Sequence, residues 1–356
     1  MRLAVITNDF PPKPGGIQQY LGGLVDAYHE PVLVLGPSDP RADPDPRVVR
    51  HHSRFMWPTA AVRSWVEREL EAFGAEAMLF GAPYPLARLG PKLSNRLGIP
   101  YAVLAHGAEV TLPAAIPGLR QWVAGPMRHA DARLALSSFT ARAVERMTRH
   151  PVDIIGTGVV ASGLPPRGDN TGKTIGCVSR FVPRKGQHRL IKAAAQLVGD
   201  GRQLELLFVG KGRTEKWLRD LAVRLGVPAR FEIDVPWDRL GELYAEMDIF
   251  AMPCRSRWFG LETEGFGLVY LEAAAAGLPV IAGDSGGAPE TVVPGRTGFV
   301  VSQDSDLVEA LDLLLADPVR ARQMGQDGRE RVLSDFTWDR TVQRVLAVLD
   351  RVSRPK

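Results

Sequence analysis

Short apolar runs alternate with amphipathic segments along nearly all of the 356 residues, and that alternation is the strongest constraint on the fold. Runs at 3–7, 31–35, 77–80, 101–105 and 134–136 read as buried parallel strands, and the stretches at 60–73, 86–97 and 141–147 read as helices between them. A stretch rich in Pro, Gly and polar residues follows at 161–173. The pattern then restarts, with strands at 174–178, 204–209, 231–234, 249–252 and 280–282 and helices at 214–225, 237–247, 304–316, 318–333 and 338–352. Such a series predicts an α/β fold of doubly wound domains, and the length suits two domains better than one core. The expected boundaries are 1–160, a linker at 161–173, a second domain at 174–336, and a closing helix at 337–356.

Several function classes are set aside by composition. With 44 basic and 40 acidic residues the net charge is only +4, too small an excess for a nucleic-acid binder. Cys177 and Cys254 lack metal-ligand spacing, so neither a disulfide framework nor a zinc site is expected. The opening apolar run is too short for a signal peptide, and no stretch approaches the roughly 18 apolar residues of a membrane span. A cytoplasmic protein is therefore expected, with any membrane contact peripheral.

Function in such domains gathers at the carboxyl ends of the strands. The first strand ends at Asn8-Asp9 and runs into a loop with Gly15-Gly16 before a helix, an arrangement that lets backbone approach a phosphate. The loop is neither a Walker loop nor G-x-G-x-x-G. His106 closes the strand at 101–105 and faces the same edge. In the second half Arg180, Arg184 and Lys185 lie with Gly186 just after the strand at 174–178, a setting for a diphosphate. The segment 117–133 carries Arg120, Arg128 and Arg133 among apolar residues, and reads either as a solvated helix face or as a surface for anionic lipid headgroups.

Glu264-Gly265-Phe266-Gly267-Leu268 opens a helix that Gly277 and Pro279 stop, with Glu272 two turns along. Exposed amides and a helix N-terminus at such a loop favour an anion or an array of hydroxyls. At about 100° per residue the two glutamates share a face only if the glycines bend the chain.

Taken together these residues resemble the GT-B retaining glycosyltransferases with a Glu-x7-Glu signature, a resemblance that covers nearly the whole chain. More narrowly, Thr7-Asn8-Asp9-Phe10-Pro11-Pro12 with Gly15-Gly16-Ile17-Gln18, Arg180-x-Val182-Pro183-Arg184-Lys185-Gly186-Gln187, and Gly260-Leu261-Glu262-x-Glu264-Gly265-x-Gly267-x-Val269-Tyr270-Leu271-Glu272 resemble actinobacterial phosphatidylinositol monomannoside mannosyltransferases. The resemblance implies two Rossmann-like domains facing across a cleft, GDP-mannose as donor, a phosphatidylinositol mannoside glycolipid as acceptor, and action at the inner face of the cell membrane. It implies that the amides of Gly15 and Gly16 meet the donor diphosphate and that Arg180 and Lys185 neutralise it without a metal or other cofactor. His106 then lies by the reacting carbon, Glu264 with the amides of Phe266, Gly267 and Leu268 holds the sugar hydroxyls, and Glu272 takes the ribose. Asp9, with Gln18 and Tyr20, falls on the acceptor side. The implied chemistry retains anomeric configuration by front-face displacement, the leaving phosphate helping to remove the acceptor proton, so no enzymic nucleophile is needed.

Two departures from that family pattern stand out. His106-Gly107-Ala108-Glu109 replaces His-Gly-His-Glu, and Arg257-Trp258-Phe259 precedes the glutamate loop where small residues are usual. Base preference is expected near 231–235, where no residue demands guanine. Alternatives are the same fold with a UDP- or ADP-sugar and a soluble sugar or polyol, a nucleotide-sugar-binding module without turnover, and a dehydrogenase, which the missing G-x-G-x-x-G disfavours.

Overall fold

A computed structural model describes residues 1–107, 110, 117–165, 168, 172–236 and 239–353. The chain divides into two compact units, Met1–Gly158 with Trp338–Lys356, and Val159–Thr337.

The first unit is built on a seven-stranded parallel sheet. Its strands are β1 (Leu3–Ile6), β2 (Val32–Pro37), β3 (Val48–His51), β4 (Ala77–Phe80), β5 (Tyr101–Ala105), β6 (Ala132–Ala135) and β7 (Asp153–Ile154), in the order β3-β2-β1-β4-β5-β6-β7. β1 lies between β2 and β4, with Leu3 opposite both Val32 and Ala77. The central strands are buried on both faces, which is why they are apolar without alternation. The helix Ala60–Phe73 starts where Thr59 Oγ1 accepts from the Val62 amide at 3.3 Å, and stops at Gly74.

The second unit repeats the architecture with six parallel strands: β8 (Thr174–Val178), β9 (Glu205–Val209), β10 (Ala229–Glu232), β11 (Ile249–Met252), β12 (Val280–Gly283) and β13 (Gly298–Val301). Their order is β10-β9-β8-β11-β12-β13. In each sheet the winding reverses beside the unit's first strand, between β1 and β4 and between β8 and β11. A crevice opens at such a reversal outside the carboxyl ends, so each unit has one favoured place for a ligand.

Three structural readings change. β3 and β13 go unnoticed in the sequence because they are partly exposed and carry no long apolar run. The helix expected at 86–97 is a short 3-10 turn, Leu86–Leu89, followed by the helix Gly90–Leu97, with Pro91 allowed only in its first turn. Arg133 is no surface residue: it sits in β6, buried, and donates to the carbonyls of Met127 and Ala130, both at 2.9 Å, and of Pro151 at 3.1 Å. Among the described residues no helix is long and apolar enough to cross a membrane.

Candidate active site

At the carboxyl end of β1 the polar side chains bind one another. Asn8 clamps the backbone of Met56, donating to its carbonyl at 3.0 Å and accepting from its amide at 2.8 Å. Asp9 accepts from Gln18 Nε2 and from Lys13 Nζ, each at 2.7 Å. Gly15, at φ +149°, leads into the helix Gly16–Asp26, whose N-terminus has no side-chain cap. Gly15 and Gly16 are exposed, as a helix-start anion site requires.

His106, buried at the end of β5, lies with Nε2 2.9 Å from the Gly81 carbonyl oxygen. A carbonyl only accepts, so that nitrogen carries a proton. Tyr20 meets the imidazole edge-on at 5.4 Å and Trp338 at 5.3 Å. The expectation that Tyr20 contacts an acceptor is corrected here. Its ring is fully buried, its hydroxyl donates to Gly156 O at 3.1 Å, and burial drives its pKa upward.

The second unit concentrates charge. After β8 the chain makes the 3-10 turn Pro183–Lys185 and passes through Gly186 at φ +79°, where a methyl group would fall 2.1 Å from Pro253 O. The turn sends two cations to one carboxylate. Lys185 Nζ is 2.7 Å and Arg184 NH1 2.6 Å from Glu264 Oε2. Arg184 also lies 3.9 Å from Glu262. All three groups of the triad are nearly enclosed. Burial alone raises a carboxyl, but Lys185 and Arg184 outweigh it and hold Glu264 below its ordinary value. Gly286 fixes the loop from behind: at φ +61° it lies so close to Glu264 O that a methyl group would be 1.8 Å away. The Gly287 amide donates to that same oxygen at 3.0 Å.

Arg180, expected with Lys185 to neutralise the donor diphosphate, is exposed, and it is Arg184 that joins Lys185 on the glutamate. The backbone oxygen of Arg180 accepts from Gln187 at 2.9 Å. Phe266 is buried against Phe336, with ring centres 6.3 Å apart, and Gly267 at φ +88° opens the helix Leu268–Ala275 without a side-chain cap. Glu272 is separate from the triad. It accepts from the Tyr244 hydroxyl at 2.9 Å, and burial pushes its carboxyl up to about 7. Thus the two glutamates of one signature face different partners and shift in opposite directions. Tyr244 is the contributor that sequence reasoning passes over, while Arg184, one of the three cations marked after β8, proves to bond Glu264.

Arg257 and Glu262 pair across a small hairpin at 3.2 Å, and Trp258 at its tip is 58% exposed. Ala108, Glu109 and the start of the helix expected at 237 lie outside the described residues, as does the Phe259 side chain. Arg120 and Arg128 are exposed on the helix Pro117–His129 and donate to the carbonyls of Arg146 and Met147 at 3.2 and 3.1 Å. Among the described residues no three His, Cys, Asp or Glu side chains are grouped to hold a metal ion.

Comparison with known proteins fits this geometry. The sequence model of the family described as glycosyl transferases group 1 matches residues 166–331. A GDP-mannose-dependent alpha-(1-6)-phosphatidylinositol monomannoside mannosyltransferase of Mycolicibacterium smegmatis is 38% identical, over 94% of this chain and 95% of its own. The chain belongs to the group 1 glycosyl transferases. A second relative, the GDP-mannose-dependent monoacylated alpha-(1-6)-phosphatidylinositol monomannoside mannosyltransferase of Corynebacterium glutamicum, is 35% identical over 98% of both chains. This glycosyl transferase also has the fold of a sucrose-phosphate synthase from Thermosynechococcus elongatus, with a TM-score of 0.78, 20% identity and 99% of both chains covered. The Anabaena protein HepE in complex with UDP superposes with a TM-score of 0.80 at 19% identity, over 99% of this chain and 100% of its own. Both parallel-sheet units are Rossmann-like, and the fold is of the GT-B class.

Proposed function

We propose that this glycosyl transferase moves mannose from GDP-mannose to a phosphatidylinositol mannoside, with retention at the anomeric carbon. One observation carries the choice of donor and acceptor: end-to-end similarity, at 35 and 38% identity, to two enzymes named for that reaction. The proposal includes a peripheral position on the inner face of the cell membrane, because the acceptor is a lipid.

The roles follow from charge. A donor diphosphate takes the place of Glu264 on Lys185 and Arg184, with Arg180 adding a third cation from the rim and the Gly15 and Gly16 amides supplying donors. Glu264, released, accepts from sugar hydroxyls beside the Phe266, Gly267 and Leu268 amides. Glu272 takes the ribose, His106 lies by the reacting carbon, and Asp9 with Gln18 orients the acceptor. The bond from the anomeric carbon to the diphosphate oxygen breaks, a bond to the acceptor oxygen forms on the same face, and the acceptor proton passes to the departing phosphate. Two fixed cations stabilise that leaving group, so transfer is expected to continue in EDTA.

The test is release of nucleoside diphosphate from GDP-, UDP- and ADP-sugars, with and without phosphatidylinositol mannoside in detergent. Release confined to GDP-mannose with the lipid is expected. Turnover of another donor, or turnover indifferent to lipid, overturns the mannolipid assignment.

A further inference from the structure

Four aromatic side chains of the first unit make a continuous strip. Ring centres are 5.0 Å apart from Phe55 to Trp57, 6.1 Å from Trp57 to Tyr84 and 4.2 Å from Tyr84 to Trp122. The Arg88 guanidinium lies 4.9 Å above the Trp122 ring. One end of the strip, Tyr84 and Trp122, packs against the core. The other end does not: Phe55 is 40% and Trp57 51% exposed.

The exposure is built in. Met56, between the two exposed rings, is fully buried, and Asn8 holds both its amide and its carbonyl. With that residue fixed inward, its neighbours are held outward. A joined apolar surface of this kind signals a partner.

Charge identifies the partner. The three segments that supply the strip, 52–58, 84–92 and 117–129, contain Arg54, Arg88, Lys92, Arg120 and Arg128 and not one Asp or Glu. Among the described residues none of these five is ion-paired; Arg120 and Arg128 bond backbone carbonyls instead. A platform for bare sugar rings brings carboxylates to bond the hydroxyls, and these segments have none. Tryptophan and tyrosine beside unpaired cations suit the boundary between acyl chains and anionic headgroups.

We propose that this strip is a membrane-docking surface, with Phe55 and Trp57 entering the headgroup boundary of an anionic bilayer while Arg54 and Arg88 lie on lipid phosphates. It rests on the mannolipid reading for its purpose, since a lipid acceptor brings the protein to a bilayer. It moves the anchor from the arginine face of the helix Pro117–His129 to an aromatic edge near the end of β1.

The experiment is co-sedimentation of the full chain with vesicles of phosphatidylglycerol and phosphatidylcholine, and with phosphatidylcholine alone. The parent should prefer the anionic vesicles, and Phe55→Ser/Trp57→Ser should bind them roughly tenfold more weakly, the loss expected when two rings no longer leave water. Because both rings are exposed, the double variant should melt like the parent by circular dichroism and should keep transfer to acceptor dispersed in detergent. A double variant that binds vesicles like the parent overturns the proposal. So does loss of binding in Arg120→Ala/Arg128→Ala with the aromatic pair dispensable. A parent that ignores both vesicle types overturns it as well and leaves the strip to a protein partner. A parent that binds anionic vesicles but transfers to no mannolipid in detergent sinks the proposed function and leaves the docking surface standing.

Discussion

The carboxyl edges of the two parallel sheets share a topology and differ in charge. At the end of β1 one carboxylate, Asp9, meets one lysine and one glutamine, with the Lys13 side chain 47% exposed. After β8 one carboxylate meets two cations, and all three are nearly enclosed. A solvated single pair is worth little in either direction, whereas an enclosed carboxylate held by two cations, with Glu262 a further 3.9 Å from Arg184, is strongly coupled to its neighbours. Equal scaffolds thus present a solvated single ion pair at one edge and an enclosed charged cluster at the other. In the proposed reaction a donor diphosphate takes the place of Glu264 on those two cations.

The sharpest way to break this contrast is Glu264→Ala. Transfer should fall by about a thousandfold, the scale for losing a group that stabilises the transition state. GDP affinity should stay the same or rise, because Lys185 and Arg184 lose an internal competitor. Calorimetric titration beside single-turnover rates separates the two, and equal losses in both contradict the displacement of Glu264 by diphosphate.

A smaller effect distinguishes the two glutamates by pH. Glu272 is raised from its ordinary 4.5 to about 7, so the fold favours its neutral form. That contribution is complete below pH 4.5 and is lost as pH rises through 7, about 3 kcal/mol in all. Glu264, held low by its cations, behaves oppositely, its contribution being present above 4.5 and lost as pH falls through the folded value. Melting curves from pH 4.5 to 8 should therefore flatten in Glu272→Gln, and an unaltered slope would show that this carboxyl does not titrate there.

The smallest effect concerns the first unit. Tyr20→Phe removes one hydrogen bond to Gly156 and keeps the ring on His106, so it should cost about 1 kcal/mol of stability with little change in transfer. Tyr20→Leu should lower transfer further. Should Phe impair transfer as much as Leu, the hydroxyl has the acceptor role that its burial argues against.

Much of the fold was legible in residues. The strands at 77–80 and 101–105 and the helices at 60–73 and 304–316 coincide with the structure, because buried parallel strands are uniformly apolar and these helices carry their own caps. β3 and β13 escaped because half-covered strands mix residue types. In the site, the loops mark Lys185 and Glu264, with Arg180 and Arg184 both close by in sequence. Linear spacing does not say which of two nearby arginines turns inward; the 3-10 turn and Gly186 decide that. Arg133 looked like a surface cation for the same reason, until the pairing of β6 buried it.

The amino-acid sequence by itself determined two α/β units, the glycine-rich turns at their strand ends, and the residue types gathered there, since these depend on local periodicity and backbone freedom. Tertiary structure decided the state of each ionisable group. Glu264 and Glu272 are eight residues apart with the same side chain, yet one is held charged by cations from nearly 80 positions away and the other is driven toward neutrality beside Tyr244. Proton affinity depends on solvent and on charge within a few ångströms, and only folding brings those neighbours together.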